Sequence, residues 1–361
     1  MRYLIPIIVS LITTLVYFFL ENTYESGIGS GEYTSTTLSP LQAKKKVDLK
    51  NYGLKDLENE LVLTVDQVKE NVVSIIASKD FIIYEGNRAA ELVQQQTGSG
   101  ILLDSSYILT NKHVISDPET TYTIIFSDGQ AAEVESLWLD ESLDIALLKV
   151  SEKEVSRSPA RLVDFSTPIV VGQFAIAINA LAEFQNSVTF VISGNNRKLE
   201  LDSSNVYALL QTDTSISEGN SGGPLFNMDG EVIINTAVSS FGENIFAIPL
   251  TQQFVQATIQ SVKNNNKIVR PFVVRYVDIS TSIAQEYQLS TNQIYVAEVL
   301  PSPAEEVNLL PEDVITHIDD VPIDQQRTFL YQLYTKIPGD KVKLRVMRDG
   351  EELEVSMVLG K

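Results

Sequence analysis

Between Leu61 and Pro249 the chain is a succession of short β-branched apolar runs divided by turn signals, a pattern that few folds can use. Val72-Val73-Ser74-Ile75-Ile76, Ile101-Leu102-Leu103, Tyr107-Ile108-Leu109 and Thr123-Ile124-Ile125-Phe126 open the series, with Ser127-Asp128-Gly129-Gln130 as a divider. Ile145 to Val150, Ile169 to Val171, Phe174 to Ile178, Val188 to Ile192, Val206 to Leu210, Val232 to Ile234 and Ile245 to Pro249 continue it. Each run is short for an amphipathic helix, and side chains stiff at χ1 favour strands. Many short strands with little helix predict an all-β barrel or sandwich pair over about 65–250. Glu85 to Gln96 breaks the series and reads as a surface excursion with some helix. Gln252 to Lys263 has helical spacing and ends in Asn264-Asn265-Asn266, which predicts a connecting helix and its exit.

From Pro271 a second unit of about 90 residues begins. Tyr295 to Leu300, Asp313 to Ile318, Val342 to Arg348 and Glu352 to Leu359 read as strands, the last two joined by an Asp349-Gly350 hairpin turn. Thr328 to Tyr334 reads as a helix. At the other end, Leu4 to Leu20 is almost wholly apolar. As a helix it would span about 26 Å at 1.5 Å per residue, close to a hydrocarbon core roughly 30 Å thick. Leu20-Glu21-Asn22-Thr23-Tyr24 offers no small-x-small cleavage site, which favours an uncleaved anchor over a signal peptide. Arg2 before it, with Glu21 and Glu25 after it, predicts a cytoplasmic N-terminus and an extracytoplasmic body. The expected order is an anchor (1–21), a flexible tether (22–62), a β-rich domain (63–252), a connecting helix and linker (253–270) and a C-terminal domain (271–361).

Composition removes several classes of function. A formal net charge of -20 argues against a nucleic-acid partner. With no cysteine there are no disulfides, thiol nucleophiles or thiolate metal sites. The two histidines, His113 and His317, lie far apart in sequence and no ligand cluster surrounds them, so neither a metal nor an organic cofactor is expected.

Within the β-rich stretch, Glu218-Gly219-Asn220-Ser221-Gly222-Gly223-Pro224-Leu225 places a serine between glycines just before an apolar strand. Glycines permit the sharp turn that presents a nucleophile and lets the N–H groups of Gly219, Asn220 and Ser221 converge on an oxyanion. The same run could serve as an ordinary turn, so a base and its orienter have to be found elsewhere. His113 follows the strand ending at Thr110, and Asp144 opens the apolar run Ile145 to Val150. Either alone is commonly a structural residue. Together with Ser221 they stand in the chain order His, Asp, Ser, that of chymotrypsin-type double barrels, with the first two on one barrel and the nucleophile on the next.

These motifs resemble those of the HtrA/Deg serine proteases: Gly98-Ser99-Gly100-Ile101, Thr110-Asn111-Lys112-His113-Val114, Asp144-Ile145-Ala146-Leu147-Leu148-Lys149, Gln211-Thr212-Asp213, Gly219 to Leu225, and Phe246-Ala247-Ile248-Pro249. The last unit resembles a PDZ domain through Val296 to Val299, Pro301 to Ala304, Leu310 to Ile315 and Ile337 to Val342. The layout is most similar to the DegS-like branch. The resemblance implies a mainly β, chymotrypsin-like double β-barrel followed by an α+β PDZ domain and preceded by one transmembrane helix. It further implies endoproteolysis of proteins or peptides in an extracytoplasmic space and a homotrimer. A PDZ domain binds peptide C-termini by strand addition, here with Phe272, Val273 and Val274 in the carboxylate-binding loop. Arg197 falls where the family has a loop coupling PDZ to protease.

Three stretches depart from the family. Asn179-Ala180-Leu181-Ala182-Glu183 replaces a Gly-Asn-Pro-x-Gly loop, Ser217-Glu218 replaces Asn-Pro, and Phe272-Val273-Val274 lacks the usual glycine. A membrane-tethered scaffold and a holdase chaperone are the competing readings of the same layout. Ser215 stands where an acid would select basic side chains, and Ile216 is beside it, which points to small aliphatic P1 residues. Cleavage-site profiling should therefore show cuts after small aliphatic residues, and dominant cuts after Lys or Arg would refute this reading of the pocket.

Overall fold

The computed structural model describes residues 53–85, 88–104, 106–115, 117, 120–151, 157–164, 169–179, 186–201, 204–213, 221–235, 246–273, 275–278, 294–298, 309–324 and 327–360. The expected anchor (1–21), most of the tether, the loop from Ala180, and Ser215, Ile216, Gly219, Asn220 and Val274 lie outside them. Among the described residues no helix is long and apolar enough to cross a membrane.

Helix α1 (Leu54–Val68) lies across the expected end of the tether at residue 62. It is held there because Leu61 and Val65 pack with buried Val68 on the main core, and the Thr64 hydroxyl donates to Met228 O at 3.0 Å. Strands β1 (Val72–Glu85), β2 (Arg88–Leu102), β3 (Tyr107–Thr110), β4 (Thr121–Ile125), β5 (Ala131–Glu133), β6 (Ser136–Leu139) and β7 (Ala146–Lys149) form one antiparallel sheet in the order β5-β4-β1-β2-β3-β7-β6. Only Val134 and Glu135 separate β5 from β6, and their N–H groups bond Tyr122 O and Lys149 O. The two edges thus run into each other and the sheet curls round. Glu85 to Gln96, expected as an excursion with some helix, is extended instead: β1 and β2 pair without a register shift from Val72↔Ile101 to Glu85↔Arg88. The ladder that β1 offers outweighs the helical preference of Ala89-Ala90-Glu91-Leu92.

The second sheet contains β8 (Arg161–Leu162), β9 (Phe174–Asn179), β10 (Asn186–Leu201), β11 (Ser204–Thr212), β12 (Pro224–Phe226), β13 (Glu231–Asn235) and β14 (Phe246–Pro249), in the order β12-β9-β10-β11-β14-β13-β8. An additional β12–β13 pairing closes it. Neighbouring residues in these strands serve different cores. Val73, Leu102, Ile108 and Leu148 fill the first sheet, whereas Val72, Ile101, Leu109 and Leu147 face the layer between the sheets. In the second sheet Ala177, Leu225 and Ile233 point inward while Ile176, Phe226 and Val232 join that shared layer. Burial on both sides explains why the runs are continuously apolar rather than alternating.

Helix α2 (Gln252–Asn265) then packs Phe254, Val255 and Val262 on the shared layer. Its N-terminus is capped by the Thr251 hydroxyl accepting from Phe254 N–H, and Asn266 ends it in a left-handed conformation (φ 51°). The remaining strands, β15 (Arg275–Asp278), β16 (Ile294–Glu298), β17 (Val314–Ile318), β18 (Val321–Pro322), β19 (Lys341–Arg348) and β20 (Glu351–Val358), make a third sheet ordered β15-β16-β17-β19-β20, with β18 on β17. One face of it, through Ile315, Ile318, Leu344, Val346 and Met357, packs on Phe329 and Leu333 of α3 (Phe329–Tyr334). Asp313, fully buried at its edge, takes two hydrogen bonds from Arg348 at 2.7 and 2.8 Å.

Helix α3 also faces the first two sheets. Buried Tyr331 stacks on Phe254 with 5.9 Å between ring centroids, and its hydroxyl lies 3.0 Å from Pro249 O and 3.1 Å from Thr251 Oγ1. Burial pushes its phenol well above the usual range. Arg270, in the expected linker, donates to the Asp140 carboxylate at 2.8 Å and lies over the Phe254 ring at 4.4 Å.

Candidate active site

His113 sits in a single 3-10 turn, Lys112–Ile115, that follows β3 after one residue. Asp144 lies in the turn before β7, fixed by Asp140, whose Oδ1 accepts from Ser142 N–H (2.9 Å) and Leu143 N–H (3.2 Å). β3 and β7 are adjacent and pair Thr110 with Ala146, so their ends bring the two side chains together. Asp144 Oδ2 is 2.7 Å from His113 Nδ1, and Oδ1 accepts from the His113 backbone N–H at 3.0 Å. With the carboxylate on Nδ1, the ring carries its proton there and leaves Nε2 as an acceptor. His113 is 47% exposed at its side chain and Asp144 20%, so the pair sits at the rim of the sheet, open to a ligand.

Ser221 comes from the other sheet, just ahead of β12, yet its main chain is tied to the first. Ser99 N–H, in β2, donates to Ser221 O at 2.8 Å, and the Thr110 hydroxyl donates to Ser99 O at 2.7 Å. Gly98 lies between the Val114 side chain and the Ser221 main chain: a Cβ there would stand 2.5 Å from Val114 Cγ1 and 3.4 Å from Ser221 O. The residue after His113 and the carbonyl of Ser221 are therefore separated by a space that only glycine leaves open.

The structure thus brings His113, Asp144 and the Ser221 main chain to one end of the two sheets. Asp213 closes the preceding strand by accepting from Val191 N–H at 2.9 Å. Arg197 is in β10, at an irregularity in its pairing with β11. Of the expected C-terminus-binding residues, Phe272 bridges Gly360 and is part-exposed, whereas Val273 is buried in the core of the last domain. His317 lies on β17 beside Thr316, away from this site, and burial and the Arg345 guanidinium hold its imidazole below the usual histidine range. Among the described residues no cluster of three metal-ligating side chains occurs. An open cleft of about 1060 Å³ between Arg161, α2 and Ile337 contains none of His113, Asp144 or Ser221, and has no such chemistry.

Sequence reasoning quoted Asn111 without giving it a task and passed over Asp140 and Arg270. Asn111 is fully buried and its Nδ2 donates to Asp144 O at 2.7 Å. Asn111 stands among polar neighbours, Thr110, Lys112 and His113, so its burial left no signal in the sequence. For Arg270 there was none either, because its partner is 130 residues away.

Comparison with known proteins agrees with this geometry. The family described as trypsin-like peptidase domain matches residues 98–233, and the PDZ domain family matches residues 256–359. This is a trypsin-like peptidase domain followed by one PDZ domain. Periplasmic pH-dependent serine endoprotease DegQ of Escherichia coli (strain K12) is 31% identical over 277 residues, covering 73% of this chain and 59% of its own. Serine protease Do-like HtrB of Bacillus subtilis (strain 168) is 29% identical over 348 residues, covering 88% and 75%. The solved HtrA-type protease AlgW with decapeptide superposes with a TM-score of 0.58 at 25% identity, covering 82% of this chain and 97% of that one. The chain is homologous to the HtrA/Deg serine proteases, and it spans less than two thirds of the length of DegQ.

Two glycines of similar backbone conformation separate the effect of close approach from that of φ. Gly222 has φ +86° and a Cβ there would fall 2.1 Å from Thr110 Oγ1 and 2.3 Å from Ser99 O, whereas Gly129 has φ +83° and nothing within 4 Å. Gly129→Ala should cost about 1 kcal/mol in urea unfolding and Gly222→Ala about 3 kcal/mol or more. Equal losses would show that the nucleophile's turn is not wedged against β2 and β3.

Proposed function

We propose that this chain is a serine endopeptidase of the HtrA/Deg type, with His113 as base, Asp144 as its orienter and Ser221 as nucleophile. The observation that carries the reading is the two-point contact of Asp144 with His113, made by the same short segment that holds Ser221 through Thr110 and Ser99. His113 Nε2 takes the Ser221 proton as the oxygen attacks the scissile carbonyl, and the Asp144 carboxylate stabilises the imidazolium. The backbone N–H groups of Gly219, Asn220 and Ser221 would take the oxyanion, each donor being worth about 3–4 kcal/mol in such sites. Collapse of the intermediate expels the amine with the proton from His113. Water, activated by the same imidazole, then hydrolyses the acyl-enzyme.

Substrates in this reading are proteins or peptides, with Ser215 and Ile216 beside the P1 side chain. The PDZ domain (271–361) would take peptide C-termini at Phe272–Val274 and act on the protease domain (63–252) through residues 253–270 and Arg197. The name of DegQ as a periplasmic protease supports an extracytoplasmic location. The apolar Leu4 to Leu20 segment supports an anchor with a cytoplasmic N-terminus, and the family resemblance supports a homotrimer. A pure scaffold is disfavoured, since it has no use for an imidazole and a carboxylate paired in this way.

Ser221→Ala should abolish cleavage of an unfolded protein and labelling by a serine-reactive phosphonate while leaving the urea midpoint unchanged. Undiminished cleavage by that variant would overturn the assignment. Full-length protein should stay with membranes through a carbonate wash and give cross-linked trimers. Quantitative release as a monomer would remove both the anchor and the trimer.

A further inference from the structure

The Asp144 side chain spends both oxygens on His113: one meets the backbone N–H, the other Nδ1. Those two contacts join the carboxylate to the histidine, but they do not fix where the main chain of Asp144 runs. Asp144 itself stands outside the strand ladder: β7 begins only at Ala146, the Asp140 carboxylate meets Ser142 and Leu143, and Asp140 N–H meets Ile145 O at 2.9 Å, which leaves the Asp144 carbonyl between these ties. What meets the Asp144 carbonyl is the Asn111 side chain, at 2.7 Å and across 33 residues of sequence. Asn111 is itself rooted at the end of β3, and its carbonyl accepts from Val114 N–H at 3.2 Å to close the turn that carries His113.

From this geometry we infer that Asn111 is a positioning residue of the proposed catalytic centre, setting Asp144 through its main chain so that carboxylate and imidazole meet in one orientation. The inference rests on the serine protease reading above only for its consequence on turnover. A carbonyl acceptor requires a donor, so the amide must present its NH2 group to Asp144. Serine in its place is too short to reach, and leucine has the same branched outline without a donor. The site has no exposure, so a primary amide is an expensive occupant where an apolar side chain would be easily buried. Its Oδ1 finds no hydrogen-bond partner among the described residues. What the amide supplies in return for its burial is the hold on Asp144.

Separating turnover from stability gives the test. In the full-length chain, Asn111→Leu should remain folded at the assay temperature and leave KM within about twofold, while kcat falls roughly tenfold to a hundredfold, as expected for a misplaced catalytic group. A readout independent of turnover is the low-field proton resonance of the His113 Nδ1–H held on a carboxylate. With only two histidines, His317→Gln identifies it. That resonance should weaken or vanish in Asn111→Leu and persist in Ser221→Ala. Parent-like kcat with an intact resonance in Asn111→Leu would overturn the inference, as would loss of activity that merely follows loss of stability. If Asn111→Leu does not fold, Asn111→Ala takes its place with the same two readouts. Should the parent show no turnover at all, the protease reading falls, and the resonance alone decides the role of Asn111.

Discussion

A backbone hydrogen bond from Ser99 N–H to Ser221 O ties the sheet that carries His113 and Asp144 to the turn that carries Ser221. The two sheets could slide against each other on their shared apolar layer, since hydrophobic contact has no direction. The 2.8 Å bond, backed by the buried Thr110 hydroxyl on Ser99, supplies the direction. Close approach is then obligatory, and this is why glycine stands at 98 and 222. Thr110, Asn111 and His113 follow one another within four residues, so one strand end meets Ser99 beside the Ser221 turn, the Asp144 carbonyl and the Asp144 carboxylate.

The same centre is connected to the C-terminal domain by a short physical route. Arg270, 5% exposed at its side chain, donates to Asp140, which is 1% exposed and caps the turn leading to Asp144. The guanidinium also lies 5.3 Å from the Tyr334 ring centroid of α3. Removing one member of so buried a pair leaves the other uncompensated, a loss of about 3–5 kcal/mol in comparable cases. The turn before Asp144 is therefore anchored, through Asp140, to the segment between the domains.

Much of this was legible in the sequence. Short β-branched runs announced the strands, Asn266 and Gly350 marked the end of a helix and the turn of a hairpin, and His113 and Asp144, singled out as a pair, lie in hydrogen-bond contact. What was not legible depended on partners distant along the chain. Residues 88–96 look helical in isolation and become a strand because β1 presents a full ladder. Leu54 to Leu61 reads as part of a polar tether, and packs as a helix because Met228 and the shared core receive one face of it. Val273 is singled out for its backbone N–H, and nothing local in the sequence announces that its side chain fills the core of its own domain. The buried Asp140–Arg270 pair leaves no local trace in sequence.

Strands with apolar neighbours on both sides have a consequence for how such a chain can drift over generations. In the last domain, β19 alternates buried and accessible residues, so every second position there can vary. In the protease half, adjacent residues such as Ile101 and Leu102, or Val232 and Ile233, are claimed by different cores, and no face of these strands is free. Variation is driven into the connections between them. The stretches where this chain departs from the HtrA/Deg motifs, 179–183 and 217–218, fall at the end of a strand or between strands in the sequence. An architecture that commits both faces of its strands thus leaves the connecting segments as the places where the sequence is free to differ.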